Sequence, residues 1–442
     1  MLKWLAAVVV AGSVITGDLY PLWWVLMFFA LHTSVVLVVG TVGTPRFPYG
    51  AWQYRPFVSI LVPARNEESV IEGTVRSLAG LDYLCDGRPG FEIIVIDDAS
   101  TDGTPGVLER LTREIEVLRV VRRPAGSTGG KAAALNEGLR HARGDIIAVF
   151  DADTRVKPGF LRYPMLYLAD PRVAGVQTGV RVYNARENWL TRMQDSEFAI
   201  FCGYYQKVRT LLGGFVGLGG NGQLVKAQPL RRVGGWRPGT LTEDLDLSVR
   251  LLLAGYRVAF CPEAELRQEA VTTLGAFIRQ RTRWSQGNLQ TALRYFRPIR
   301  RSRLPWFRKW DALLYLSGSA QTVLVFVSAF AAGAGWLWPG HIRHAPSAWM
   351  LALPMCVYAA FIAVAHVQAV GGRAREILLR LLLYGVYQWL WAPTVAWAAM
   401  QYAWRRGRVT WEKTVHRGTG TGVGVGMGGG GWPLHTGGRM QG

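Results

Sequence analysis

Long apolar runs bracket a central stretch in which short apolar runs alternate with charged segments. Pro21–Gly43 carries only His32 as a titratable group. Leu313–Trp338 and Trp349–Val370 follow the same pattern, and Ile377–Trp404 is a fourth run, interrupted by Arg380 and Pro393. Each approaches or exceeds the roughly 20 residues needed to cross a bilayer. Trp and Tyr gather at the ends of several, where interfacial anchors belong. Trp4–Ile15 is shorter. It reads as a first span joined to the second by "TGDLYP", or as a mimic of a signal peptide; without a small-residue cleavage site before Asp18, an uncleaved anchor is expected.

Between Thr44 and Lys309 the pattern becomes that of a water-soluble domain. "FVSILVPARNEE" is a β-rich run ending at Pro63 and a polar turn. Ser69–Leu81 places Val70, Ile71, Val75 and Leu78 on one helical side. "FEIIVIDDAS", Phe91–Ser100, is a second buried strand, "GTPGVLERLTRE" a helix, and "VLRVVRR" a third strand. "GGKAAALNEGLRHA" is a helix entered through two glycines, and "DIIAVFDAD" a fourth strand. This alternation predicts an α/β domain with a largely parallel sheet. Ligands of such sheets lie beyond the carboxyl ends of the strands. Pro63 to Glu67, Asp97 with Asp98, and Asp151 with Asp153 all fall there.

Asp151 and Asp153 are one residue apart, so they repel unless water or a cation offsets the cost. Either they sit harmlessly at a strand end or they hold a metal. The first strand lacks the G-x-G-x-x-G turn of a dinucleotide fold. "AGSTGGKAAA" fails as a P-loop, with Ala125 at the first glycine position and Ala132 where Ser or Thr should follow the lysine. An acid-rich site with one well-placed lysine, Lys131, suits a diphosphate held through a divalent cation.

Composition sharpens the membrane reading. Half of the 442 residues are hydrophobic, and 18 are Trp. The formal charge of +20 is largely what positive-inside bias produces. The chain shows no nucleic-acid module, so no nucleic-acid partner is expected. Arg294–Trp310, "RYFRPIRRSRLPWFRKW", mixes arginines with Trp and Phe and reads as an interfacial segment on an anionic cytoplasmic leaflet. The large domain is therefore expected on the cytoplasmic side of the plasma membrane, in a multi-pass protein. Cys85, Cys202, Cys261 and Cys356 have no metal-ligand spacing. The expected organisation is an anchor over 1–43, a water-soluble α/β domain over 44–290, a basic interfacial segment over 291–310, a membrane region over 311–404 and a tail over 405–442. The glycine-rich part of that tail cannot bury a core and is expected to be disordered.

These residues resemble family 2 glycosyltransferases of the GT-A fold, in particular the membrane-integrated synthases of cellulose, chitin, hyaluronan and poly-N-acetylglucosamine. The resemblance covers roughly Val58–Trp284 and continues into the flanking apolar runs. It rests on "VPARNE", on "DDASTD" with Asp97, Asp98 and Asp102, and on "GGKAAALN" with Lys131 and Asn136. It continues through "DAD", through "LTEDLDLSVRL" with Thr242, Glu243 and Asp244, and through "RQRTRW" with Gln280, Arg283 and Trp284. The resemblance implies that Asp153, helped by Asp151, coordinates Mg²⁺ or Mn²⁺ on the diphosphate of a UDP-sugar. It implies that Asp244, with Glu243 beside it, is the catalytic acid pair, Asp244 taking the proton of the acceptor hydroxyl. Attack from the opposite face would invert the anomeric centre. Gln280, Arg283 and Trp284 would share a helix face near acceptor and diphosphate.

Two segments bear on the acceptor. "GLGGNGQLVK", Gly217–Lys226, has Asn221 where the synthases carry a cysteine- or serine-glycine loop under the acceptor. That departs from the cellulose synthase pattern and looks closer to membrane enzymes that glucosylate diacylglycerol. "WEKTVHRG", Trp411–Gly418, loosely resembles loops that close over UDP. The expected donor is UDP-glucose or UDP-N-acetylglucosamine, and the expected acceptor a growing β-linked polysaccharide, with a membrane lipid as the alternative. Three C-terminal crossings would leave Arg405, Arg406 and Arg408 outside, against positive-inside bias. Ile377–Trp404 is therefore expected as an interfacial helix plus a re-entrant piece, broken near Pro393.

Overall fold

The computed structural model describes residues 16–319, 346–369 and 374–404, with positions 13, 321, 322, 326 and 344. The expectations for Trp4–Ile15 apart from Ser13, for most of Leu313–Trp338 beyond Ser319, and for the tail from Arg405, including Trp411–Gly418, lie outside the described residues.

Nine strands are described: β1 Val58–Ala64, β2 Leu84–Cys85, β3 Arg88–Pro89, β4 Phe91–Asp97, β5 Leu118–Arg122, β6 Ile146–Val149, β7 Val173–Val182, β8 Gln223–Lys226 and β9 Arg257–Gln268. Strands β2 and β3 form a small antiparallel hairpin. The others make one sheet in the order β5-β4-β1-β6-β8-β7-β9. Pairs β4–β5, β1–β4, β1–β6 and β7–β9 are parallel, and β8 runs antiparallel to both neighbours.

The central strands carry apolar runs, Ile60–Val62 in β1, Ile93–Ile96 in β4 and Ile146–Val149 in β6, because both faces are covered, as parallel sheets require. All seven residues of β4 are buried, as are six of the seven in β1. Val58, Ile60 and Val62 pack with the helix Ile71–Ala79 and with Leu108 and Leu111 on one face. Leu61, Ile94, Ile96 and Val149 pack with Leu135, Leu139 and Trp236 on the other. Truncating a residue such as Ile94 to alanine costs about 2–5 kcal/mol. Strand β1 extends one residue beyond Pro63, and its ladder with β6 has already ended at Leu61 opposite Val149. Strand order reverses between β1 and β6, so the crevice beyond their carboxyl ends is the place for a ligand.

Among the described residues, one helix, Tyr20–Val42, is long and apolar enough to cross a membrane. Trp24, Phe28, Leu31, Val35 and Val38 on it face outward. It docks on the catalytic domain through the wide helical turn Phe201–Gln206. There Tyr204 lies so close to Gly40 that a Cβ would meet its ring at 2.7 Å, and Lys207 Nζ donates to Gly40 O at 2.7 Å. The helix Ala348–Ala369 packs against Tyr20–Val42, and Trp23 Nε1 donates to Met350 O at 2.9 Å.

The expected break at Pro393 is absent, since Ala374–Trp404 is one helix of 31 residues. Proline removes one helical donor, but packing along the helix Leu274–Arg301 holds both sides of it in line. That second helix also runs without interruption through position 290, so the acceptor-side motif and the first part of the basic segment share one 28-residue rod.

Candidate active site

Four charged side chains meet beyond β6. Lys131 sits at the start of the helix Gly130–His141, which Gly129 enters at φ +90°. Its Nζ is 2.5 Å from Asp151 Oδ1 and 3.8 Å from Glu243 Oε1. Burial disfavours its charge, but Asp151 and Glu243 outweigh burial and hold its pKa above the ordinary lysine value. Glu243 and Asp244 occupy the first turn of the helix Glu243–Leu253, where negative charge is favoured by the helix dipole. Burial pushes the Asp244 carboxyl up to about 7, Glu243 adds to the rise, and Lys131 opposes it. The Leu245 amide donates to Asp244 Oδ1 at 2.7 Å. Gly220 forms the opposite wall: a Cβ there would lie 2.9 Å from Asp244 Oδ2 and 3.3 Å from Lys131 Nζ. A buried acid held near neutrality has the makings of a general base.

The two aspartates of "DAD" differ in setting. Asp151 keeps a partly exposed carboxylate, while Asp153 is buried and its Oδ2 accepts from the Glu269 amide at 2.8 Å. Tyr183 Oη donates to Glu269 Oε2 at 3.3 Å. Among the described residues no three His, Cys, Asp or Glu side chains are grouped to hold a metal by themselves. Two hard carboxylate donors fit Mg²⁺ or Mn²⁺ when substrate oxygens complete the shell.

The turns after β1 and β4 are laced together. Asn66 and Ala99 both take positive φ, 54° and 56°, a strained state typical of functional turns. The Thr101 amide donates to Asn66 Oδ1 at 2.7 Å, and the Asn66 amide to Ser100 Oγ at 2.9 Å. Glu67 is buried, its amide donating to Thr104 Oγ1 at 2.8 Å. Asp97 is buried and accepts from the Ser100 amide at 3.0 Å; Asp98 pairs with Arg123, which also donates to Thr128 O at 2.8 Å. Pro63 offers only an apolar surface at the strand end. Arg123 thus joins Asp98 to the loop before Lys131.

On the helix Leu274–Arg301, burial lowers the Arg283 pKa, while Glu243, Asp151 and Asp244 lie near enough to oppose that. Arg283 thus belongs to the same charged cluster. Gln280 is half-buried on the same helix. Arg281 lies over the Trp284 ring, Cζ to centroid 4.1 Å, and Phe198 meets its edge at 6.4 Å.

Two asparagines are held by groups of the protein itself. The Asn136 amide donates to Trp236 O at 2.6 Å and accepts from Trp236 N at 2.9 Å, so both ends clamp backbone. Asn221 is buried beneath the "DAD" turn, where its Oδ1 accepts from the Asp151 amide at 3.2 Å and from Thr154 Oγ1 at 2.9 Å. Sequence reasoning also passed over Glu269, although an acid just past a strand is the pattern that drew attention to Asp151. It passed over Arg281 and its partners Glu197 and Tyr387, which lie 84 and 106 positions away in the chain and leave no local pattern.

The sequence model of the family described as "Glycosyltransferase like family 2" matches residues 55–287, more than half of the chain. Over 366 residues the chain is 35% identical to the β-monoglucosyldiacylglycerol synthase of Synechocystis sp., covering 82% of this chain and 75% of that one. Over 295 residues it is 28% identical to the poly-β-1,6-N-acetyl-D-glucosamine synthase of Staphylococcus aureus, covering 64% and 69%. In fold it is similar to a mannosyltransferase of Pyrobaculum calidifontis solved with GDP-Man and Mn²⁺, with a TM-score of 0.60 and 22% identity over 92% of this chain and 100% of that one. The ordered motifs, the mostly parallel GT-A sheet and this extent of similarity place the chain in glycosyltransferase family 2.

Proposed function

We propose that this glycosyltransferase moves glucose from UDP-glucose to diacylglycerol at a membrane surface, with inversion to a β-glycosidic lipid. The observation that carries the acceptor is the reach of the likeness to β-monoglucosyldiacylglycerol synthases, which takes in 82% of the chain at 35–36% identity. The polymer-forming relative is matched over 64% at 28%. Of the two acceptors the sequence left open, the lipid is therefore favoured over the polysaccharide.

Asp244 accepts the proton of the lipid hydroxyl as its oxygen bonds to the anomeric carbon and the bond to the diphosphate breaks. Gly220 packs so closely on this side of Asp244 that a Cβ would lie 2.9 Å from its Oδ2. Lys131 and Arg283 bring positive charge to the diphosphate side, and Glu243 keeps Lys131 oriented. Asp151 and Asp153 would hold the divalent cation, and when bound it supplies charge against that growing on the leaving diphosphate. The Mn²⁺ in the mannosyltransferase complex is consistent with this use.

The catalytic domain would sit on the cytoplasmic face of a multi-pass protein. Outward apolar side chains on Tyr20–Val42, together with Leu378, Leu382, Val386 and Trp389 on Ala374–Trp404, support burial in lipid. Trp306 and Trp310, exposed beside Arg308 and Lys309, support an interfacial position for the helix Trp306–Leu316.

The deciding experiment supplies membranes bearing the protein with radiolabelled UDP-glucose or UDP-N-acetylglucosamine, with and without added diacylglycerol. Label from UDP-glucose should enter the organic phase as a single-sugar lipid. Label confined to aqueous or insoluble material, and released by a glycan hydrolase, would restore the polymer reading.

A further inference from the structure

We infer that Asn221 is a positioning residue for the metal turn, locking Asp151 and Asp153 to the loop that walls the base. This rests on the transferase reading above and concerns the same site. Gly220 and Gly222 flank Asn221 at φ +76° and +70°, conformations that only glycine adopts freely. They turn the chain so that the Asn221 side chain points beneath the sheet end. Its Oδ1 accepts from the Asp151 amide and from Thr154 Oγ1, at 3.2 Å and 2.9 Å. Its Nδ2 donates to Gln268 Oε1 at 2.8 Å. The next residue, Glu269, donates its amide to Asp153 Oδ2 at 2.8 Å. The path Asp151–Asn221–Gln268–Glu269–Asp153 therefore ties both aspartates to the end of β9 through one side chain.

The same loop reaches the base, because the residue just before Asn221 is Gly220, at the wall of Asp244 and Lys131. A shift of Asn221 thus moves the donor end of the site against the base end. The side chain needs an acceptor and a donor at that reach, which an amide supplies and a hydrocarbon does not. The fold itself leans on the backbone here. Asn221 O accepts from Gln177 Nε2 at 2.8 Å, the Gly222 amide donates to Val149 O at 2.9 Å, and Gly222 O accepts from the Thr178 amide at 3.1 Å. Those bonds survive replacement of the Asn221 side chain.

The test uses the full-length protein in lipid nanodiscs. Mn²⁺ binding at saturating UDP is read by electron paramagnetic resonance, alongside apparent KM values for metal and for diacylglycerol. Asn221→Leu should weaken Mn²⁺ binding by about tenfold or more, in the range found when partners of metal ligands are removed. The apparent KM for metal should rise in parallel, and the KM for diacylglycerol should stay within about twofold. Gln268→Leu, which breaks the path on its other side, should shift metal binding in the same direction; it decides the matter if Asn221→Leu fails to fold. Unchanged Mn²⁺ affinity with a raised KM for diacylglycerol would overturn the inference and return Asn221 to an acceptor-contacting role. A fall in kcat alone would also overturn it. If the unaltered protein binds neither UDP nor Mn²⁺, the transferase reading fails; if it binds both and the variants bind them equally, only this inference fails.

Discussion

Lys131 Nζ and Asp151 Oδ1 lie 2.5 Å apart, so the lysine already engages the carboxylate proposed above as a metal ligand. One oxygen cannot give its best geometry to both cations at once. Glu243, 3.8 Å from the same ammonium, offers the lysine a second partner close at hand.

Lys131→Met keeps the aliphatic stem and removes the charge. Without nucleotide, Mn²⁺ should bind the variant more tightly than the unaltered protein, because Asp151 no longer faces a competing cation. With nucleotide the sign reverses: UDP should bind about tenfold or more weakly, since a charge-assisted contact to phosphate is lost. Mn²⁺ titration and UDP calorimetry read the two effects separately. Unaltered Mn²⁺ affinity without nucleotide would show that Lys131 does not compete for Asp151.

The strand ends were legible in the sequence because the apolar runs Ile60–Val62, Ile93–Ile96 and Ile146–Val149 of β1, β4 and β6 stop shortly before charged residues. Lys131, Asp151, Asp244 and Arg283, which come from separate sequence motifs, lie together in the folded chain. Asn221 was not legible. Its side-chain partners lie 70 and 47 positions away in the chain, and only the antiparallel insertion of β8 between β6 and β7 brings them together. Pro393 misled for a related reason, since a local helix breaker was overridden by packing along a neighbouring helix.

Arg281 is another feature without a local pattern, and it joins the catalytic domain to the C-terminal helix. Its side chain is fully buried, 2.7 Å from Glu197 Oε2, and Tyr387 of the helix Ala374–Trp404 donates its hydroxyl to the same carboxylate oxygen. Phe277, Trp284 and Trp391 surround the guanidinium at 4.1–5.2 Å from their ring centroids. Glu197→Ala leaves a buried charge without its counterion and should cost about 3–5 kcal/mol. Tyr387→Phe removes only hydrogen bonds and should cost about 1 kcal/mol. Arg281→Lys should not restore stability, because the planar stacking is lost. Thermal unfolding in detergent ranks the three variants. Equal melting temperatures for Glu197→Ala and the unaltered protein would remove this cluster as a structural link.

Asp244 ties stability and activity to pH with opposite signs. Its carboxyl is raised from 3.8 to about 7 in the folded chain, first by burial and then by Glu243. Below about pH 4 it is neutral in folded and unfolded chains alike, and the fold bears no penalty. Between about 4 and 7 the unfolded chain releases the proton more readily, so this contribution to stability falls and is lost once pH passes the folded value. Asp244→Asn removes the titration. The variant should therefore melt close to the unaltered protein at pH 4 and progressively above it as pH rises to 8. Catalysis runs the other way, since only the ionised carboxylate accepts a proton. In the unaltered enzyme, kcat/KM should rise with pH through an acid limb near 7. In Asp244→Asn, UDP binding should persist while turnover falls by about 10²–10⁴-fold. Melting curves that separate equally at pH 4 and pH 8 would show that the Asp244 side chain is not held near neutrality. A variant with near-normal turnover would remove it as the base.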